Sequence, residues 1–258
     1  MVDIIAAFRG FESIVAAAST REGGVSEPPY DSANMALHVG DDRAAVLKNR
    51  AQACSELGIS AADLVCAEQV HGNRVVKVTD GDRGSGATCC DDAVPGTDGL
   101  VTGVPEVPLA VFTADCVPIL VYEAKRKVVG MAHAGWRGTS LRIAEALIRG
   151  LEEEFGGDPM SCFVVLGPSV GPCCYEVGPE VVTAFRERGH PEEIFSRTEN
   201  DKFWLDMWQA NAIQLQDKGV PQSNISCSRR CTVCSDGYFS FRGDGAVTGR
   251  NMSVIMLK

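Results

Sequence analysis

The chain has 258 residues, 45% hydrophobic and 22% charged, enough apolar material for a sizeable core in a single domain or two closely packed halves. A formal net charge of -10 at pH 7 repels phosphate backbones and anionic lipid surfaces, which excludes nucleic acid and membrane as main partners; a local group of arginines could still hold a small anion. The eleven cysteines are an odd number in a long chain, and the first twenty residues, broken by Asp3, Arg9 and Glu12, make no signal-peptide core, so the protein reads as cytoplasmic and reduced.

In chain order, the first clear element is a helix over 41–58: Asp41 or Asp42 caps it, Ala45, Leu47, Ala51, Cys54 and Leu57 recur at helical spacing, and Gly58 stops it. Arg50 falls in its middle. From Leu64 the texture changes to short apolar runs separated by Gly, Asp and Pro: "LVCAEQV", "RVVKVT", "GLVT", "PLAVFTA", "VPILVYEA" and "KVVGMAHAG". These read as strands, several buried on both faces. Within them, residues 80–99 read as a long surface loop.

A longer helix is expected from about Gly138 and Thr139, because Leu141, Ala144, Leu147, Ile148, Leu151 and Phe155 form one stripe. "CFVVLG" reads as a buried strand, "GPEVVTAFRERG" and "LDMWQANAIQLQDKG" as helices, and "NMSVIML" as a last strand. The longest uncharged stretch, 159–175, is interrupted by Gly167, Pro168, Gly171 and Pro172 before it could span a bilayer. Strands outnumber helices without regular interleaving, which favours an α+β fold, here a single domain over 1–258.

Four histidines are present, and His71 and His133 sit at strand ends beside glycine, where side chains can converge. Alone, each also fits a loop histidine satisfied by a carbonyl, and Cys116 alone fits a small apolar residue. Together, one thiolate and two imidazoles make a three-ligand set that leaves a tetrahedral ion one open position. Their wide spacing does not by itself bring them together. Asp115 is a candidate to hold an imidazole N–H or to orient a turn.

Anion recognition would fall to Arg50, Arg137 and Arg242, with Arg21 behind them, since the planar guanidinium matches phosphate oxygens two at a time. Arg137 precedes a helix start whose N–H groups at Gly138 and Thr139 could add to the pocket. "CSRRCTVC" offers Cys227, Cys231 and Cys234, a C-x-x-C without a second half, for which packing is the larger share. "GPSVGPCCYEVG" lacks the order of a phosphate loop; its Tyr175 and Glu176 are candidates to border a cleft.

The blocks "STREGGVSEPPYDSANMALHVGDD", "KNR", "EQVHGNRV", "TDGLVT", "TADCVPILVY", "AHAGWRGT", "LGPSVGPCCYEVG", "LDMWQAN" and "CTVCSDGYFSFRGDGAVTGR" resemble the YfiH-like family along essentially the whole chain. That family carries two descriptions, laccase-like polyphenol oxidoreductase and purine nucleoside phosphorylase. The resemblance implies a four-layer α/β/β/α arrangement with mixed β-sheets, and zinc held by His71, Cys116 and His133. It implies an active-site role for those three and for Arg50, which the residue reading above already sets toward phosphate with Arg137 and Arg242. One departure is Gly243 in "SFRGDG", where the family tends to carry a second arginine.

The implied activity is phosphorolysis of adenosine, inosine and methylthioadenosine to base and ribose 1-phosphate, with adenosine deamination, by a monomer or weak homodimer. The partners are then purine nucleosides and phosphate. A copper-dependent phenol oxidase is a second possibility: copper could occupy a His2Cys set, but a multicopper oxidase needs far more imidazoles than four. A third is a metal-free cysteine hydrolase with Cys116 as nucleophile.

Overall fold

The structure, a computed structural model, describes residues 1–5, 8, 10–197 and 202–258. Strands and helices are numbered in chain order. A five-stranded sheet runs, in spatial order, β1 (Val2–Ile4), β2 (Ile14–Ser19), β14 (Asn251–Leu257), β6 (Leu109–Thr113) and β3 (Val65–Cys66). A six-stranded sheet runs β13 (Ile225–Cys227), β9 (Cys162–Leu166), β7 (Val117–Glu123), β8 (Val128–Ala134), β5 (Gly99–Thr102) and β4 (Val75–Lys77). Both are mixed and antiparallel inside, with a parallel pair at one edge of the five-stranded sheet and at both edges of the six-stranded one. A small sheet joins β10 (Glu176–Val177), β12 (Phe203–Leu205) and β11 (Phe195–Arg197). The helices are α1 (Arg43–Glu56), α2 (Trp136–Ser140), α3 (Ile143–Phe155), α4 (Pro179–Arg186), α5 (Met207–Asp217) and α6 (Phe241–Asp244).

The period of two along β7 explains the stacking. Val117, Ile119 and Val121 face outward onto Ile143, Leu147 and Leu151 of α3, and this core extends to Phe185 of α4 and Leu215 of α5. Leu120 and Tyr122 face the other way, where with Val129 and Met131 of β8 they meet Leu109, Val111, Ile255 and Leu257 of the five-stranded sheet. The outer face of that sheet, through Ala110, Met252 and Val254, packs on Ala53 and Cys54 of α1. The result is the expected α/β/β/α order. Because β7 is buried on both faces, its sequence is an unbroken apolar run.

Local signals set the helix ends. Asp42 caps α1 by accepting the Ala45 N–H at 2.8 Å, and Gly58 follows its end at φ 68°. The single helix expected from Gly138 onward begins instead at Trp136 and is broken into α2 and α3 at Arg142, which adopts φ 63°. The apolar stripe continues across the break, so periodicity conceals it. Ion pairs from Arg142 to Glu145 at 2.5 Å and Asp217 at 2.7 Å fix the left-handed residue.

Residues 80–99 also depart from expectation. Their tips are exposed, but Ala87, Thr97 and Asp98 are buried, and Cys66 and Glu68 hydrogen-bond along the segment through Ser85 and Val94. The segment is pinned beside β3 and delivers Asp98 to the interior.

Leu120→Ala removes a fully buried side chain from the seam between the two sheets. A loss of about 2–5 kcal/mol of unfolding free energy is expected, read from the shift of a urea unfolding curve.

Candidate metal centre and its cavity

Three chain segments converge at one end of the seam. β8 carries His133 one residue before its end; it follows Val129 and Met131 on the face toward the five-stranded sheet and pairs with Pro118 of β7. The connection from β6 to β7 turns through Asp115 at φ 87° and presents Cys116. The loop after β3 brings in His71 at φ 62°, two residues after Gln69 at φ 64°. Non-glycine residues in this left-handed region gather where neighbours over-determine the backbone, commonly at functional sites.

The over-determination is visible. The Gln69 amide mimics a strand, donating to the Phe112 carbonyl at 2.7 Å and accepting its N–H at 2.8 Å. The fully buried Asp98 accepts the His71 N–H at 2.9 Å, the Gly72 N–H at 2.7 Å and the His133 Nδ1–H at 2.9 Å. Its own carbonyl accepts the His133 N–H at 2.7 Å. One ring nitrogen of His133 is therefore committed, leaving Nε2 as the ligand atom.

His71, Cys116 and His133 each offer a donor atom within 4.8 Å of the others, with the imidazole rings 4.7 Å apart and nearly perpendicular. Gly135 permits this: a Cβ there would stand 3.0 Å from the His71 ring and 3.1 Å from Cys116 Sγ. Two imidazoles and a thiol around a point, with one histidine braced by a carboxylate, form a donor set that fits a tetrahedral divalent ion with one position left over.

The electrostatics agree. Burial pushes the Cys116 thiol up, but the His133 imidazolium and hydrogen bonds from both histidines bring it down to about 6. Burial opposes a charged His133, yet the Cys116 thiolate and Asp98 raise it to about 9. The two shifts run in opposite directions, each favoured by the other group's charge, so that without metal they favour a thiolate–imidazolium pair.

The set opens on a cavity of about 630 Å³ that also exposes His38, Gln69, Phe112, Trp136, Tyr175, Arg137, Arg242 and Arg250. The structure thus brings Arg137 and Arg242 to the same cavity as the three ligand candidates. Arg50 is not brought there. Its guanidinium donates to the carbonyls of Met35, Gly86 and Ala87 at 2.7–2.9 Å and stacks 4.3 Å from the Phe112 ring, so it supports the cavity wall from behind. Arg21 is occupied by Asp244 and by the face of Phe239.

Asp115 holds no imidazole; that part belongs to Asp98. Its carboxylate instead accepts the hydroxyls of Thr232 and Ser240 and the Arg242 N–H, each at 2.6 Å, tying the turn before Cys116 to the C-terminal loops. Tyr175 lines the cavity as expected, while Glu176 lends its carbonyl to Arg242 at 2.9 Å. Gly243 lies off the cavity, where a Cβ would touch Ser240 and Val233. Sequence reading missed Asp98, His38 and Arg250. Asp98 and Arg250 stand beside glycine next to a strand start, in "TDGLVT" and "VTGRN", the same local signal that drew attention to His71; His38, in a turn of "ALHVGDD", carries no such signal.

Fold and site together define a four-layer α+β protein with a candidate His2Cys centre at the mouth of its sheet seam. The chain belongs to the family described as multi-copper polyphenol oxidoreductase laccase, whose pattern matches residues 15–258. It is 43% identical over 248 residues to purine nucleoside phosphorylase YlmD of Geobacillus stearothermophilus, covering 95% of this chain and 90% of that one. It is 33% identical over 253 residues to a protein of an unknown prokaryotic organism named as an adenosine deaminase, covering 97% and 96%. The crystal structure of the Bacillus licheniformis hypothetical protein YfiH superposes with a TM-score of 0.96 at 38% identity, covering 100% of this chain and 96% of that one. Among the described residues no helix is long and apolar enough to cross a membrane.

Asp98→Asn keeps the shape but weakens the acceptor for His133 Nδ1–H and two backbone N–H groups. Divalent-ion affinity is expected to fall about 10–100-fold in competition with a chromophoric chelator. Affinity should also depend on pH. Between about 6 and 9, the values to which Cys116 and His133 are shifted, a ligating His133 must give up its proton while Cys116 is already ionised. Affinity is then expected to rise about tenfold per pH unit across that window, and more steeply below it as Cys116 protonates as well.

Proposed function

We propose that the protein is a zinc-dependent purine nucleoside phosphorylase that takes adenosine, inosine and methylthioadenosine, with adenosine deamination as a second activity of the same site. The observation that carries this reading is the sharing of one cavity by the His71–Cys116–His133 set, the guanidiniums of Arg137 and Arg242 and several flat aromatic faces. The names borne by the relatives support it. A cavity of this size matches a ligand of a few hundred daltons, and phosphate needs cationic forks.

In phosphorolysis a phosphate oxygen forms a bond to the ribose anomeric carbon as the bond from that carbon to the purine nitrogen breaks, and the purine leaves with a proton. Arg137 and Arg242 are placed to hold the phosphate, and Arg242 is steadied by the Glu176 carbonyl and the Tyr175 ring. Arg137 stands 4.4 Å over the Trp136 ring, so a charged fork and a stacking surface come from adjacent residues. Phe112 and Tyr175 offer further faces for a purine. Holding two reactants in one cavity removes much of the barrier by positioning alone. Arg50 acts through Phe112 as a positioning residue. When bound, a zinc ion would supply Lewis-acid polarisation and bring the pKa of water near ~7, the chemistry that replacing the adenosine amine with oxygen requires.

Copper-dependent phenol oxidation has the family description and the donor types on its side, since a His2Cys set also suits one copper. The remaining imidazoles do not extend it to a cluster: His38 lines the cavity but does not join the three grouped donor atoms, and His190 is buried with Nε2 on the Ser140 carbonyl.

Cys116→Ala should lose bound zinc at the cavity and at least ~100-fold in phosphate-dependent release of base from adenosine and inosine. Arg242→Ala should raise KM for phosphate more than KM for the nucleoside. Retention of both zinc and turnover by Cys116→Ala would refute the proposal. Full activity after chelation, lost on thiol alkylation, would favour the cysteine hydrolase instead.

A further inference from the structure

Outside the cavity, a second group of metal-ligating side chains comes together. The C-x-x-C of Cys231 and Cys234, unpaired in sequence, finds its other half in the adjacent Cys173 and Cys174, and all four Sγ atoms lie within 4.8 Å of one another. Cys234 Sγ is 3.3 Å from Cys174 Sγ and 3.6 Å from Cys173 Sγ. Zinc–sulfur bonds of ~2.3 Å at tetrahedral angles separate neighbouring sulfurs by roughly 3.8 Å, within the range this group spans. Cys227, on β13, is not part of it.

The backbone is arranged around these sulfurs. Ser169 pairs with Cys231 as an isolated parallel bridge, with hydrogen bonds from the Ser169 N–H to Arg230 and from the Thr232 N–H back to Ser169. Gly171 lets the loops approach: a Cβ there would stand 3.2 Å from Cys173 Sγ and 3.3 Å from Cys231 Cβ. The Gly171 N–H donates to Cys231 Sγ at 3.3 Å, and the neighbouring backbone N–H groups of Val233 and Cys234 favour its thiolate, an environment suited to a charged sulfur ligand. Cys231 is buried while Cys173 and Cys234 are exposed, so the group is anchored inside and reachable from solvent.

We propose that Cys173, Cys174, Cys231 and Cys234 form a closed four-thiolate site for a zinc-class divalent ion, distinct from the cavity centre, that staples two loops forming the cavity rim. Four sulfur ligands complete a tetrahedron and leave no open position, the arrangement of a structural ion. The ion joins elements the cavity uses. Tyr175 follows Cys174 directly, and Thr232, between the paired cysteines, donates to Asp115 beside Cys116. Asp115 in turn accepts the Arg242 N–H.

The test is zinc content per chain and zinc-edge X-ray absorption on protein purified under reductant from zinc-supplemented cells. Cys116→Ala, which removes a ligand from the cavity only, is expected to retain one zinc with four sulfurs at ~2.3 Å. Wild type should carry two equivalents, and Cys173→Ser/Cys234→Ser, at two exposed positions, should lose one of them. One equivalent in both wild type and Cys116→Ala, with the four-sulfur shell, would uphold this site while counting against the cavity centre. A zinc-free Cys116→Ala whose four thiols all react freely, or peptide mapping that finds them joined as disulfides under reductant, would overturn the proposal. Should the double serine variant fail to fold, the absorption spectrum of Cys116→Ala still decides.

Discussion

The carboxylate of Asp98 is the interaction on which the candidate centre depends. It is fully buried, and a lone buried carboxylate is costly unless several donors surround it. Here the donors are the His133 ring and the backbone N–H groups of His71 and Gly72, so the groups that offset its desolvation belong to the two histidines of the ligand set. The same contacts set the His133 tautomer, stabilise the left-handed turn at His71 and fasten the end of β8 to the start of β5. Binding geometry and local stability are consequently one property. A change that loosens the turn at His71 also frees an orphaned charge in the seam.

Asp115 repeats this logic on the other side of Cys116. Its left-handed backbone turns the chain between β6 and β7, and its carboxylate collects two hydroxyls and an N–H from residues more than a hundred positions away in sequence. The donors come from the loop holding Cys231 and Cys234 and from α6, which carries Arg242. Cys116 is thereby fixed by its neighbour's attachments, and the C-terminal loops are fixed with respect to Cys116. The two aspartates flank the three ligand candidates and connect them to separate parts of the fold.

Much of the layer order was legible because burial on both faces leaves a plain trace. "VPILVYE" has no polar alternation, and only a strand covered by a sheet on one side and helices on the other tolerates that. The convergence of His71, Cys116 and His133 was suggested by residue types and strand-end positions; Asp115, offered to hold an imidazole N–H or to orient a turn, does the second, while the carboxylate on His133 is Asp98. Asp115 is adjacent in sequence to a ligand candidate and Asp98 is not; the register of β5 against β8, which places Asp98 beside the His133 backbone, is not written in local spacing. Arg50 failed for a related reason. An arginine in mid-helix looks available until the carbonyls of Gly86 and Ala87, from a segment that reads as a surface loop, are found underneath it. The four-cysteine group was invisible because each pair looks incomplete until two loops, 57 positions apart from Cys174 to Cys231, are laid side by side.

An acidic chain with a net charge of -10 is an unexpected host for an anion, and the cavity shows how the local field departs from the total. Arg137, Arg242 and Arg250 all face it. Asp115, which lines the same cavity, is surrounded by hydroxyl and N–H donors, which spread its charge over fixed dipoles and weaken its pull on the guanidiniums. Arg250 is held by the carbonyls of Thr248 and Gly249, and Arg242 by that of Glu176, contacts that orient a cation without neutralising it. The cavity can therefore be cationic within an anionic protein, because carbonyl oxygens rather than carboxylates hold two of its arginines in place.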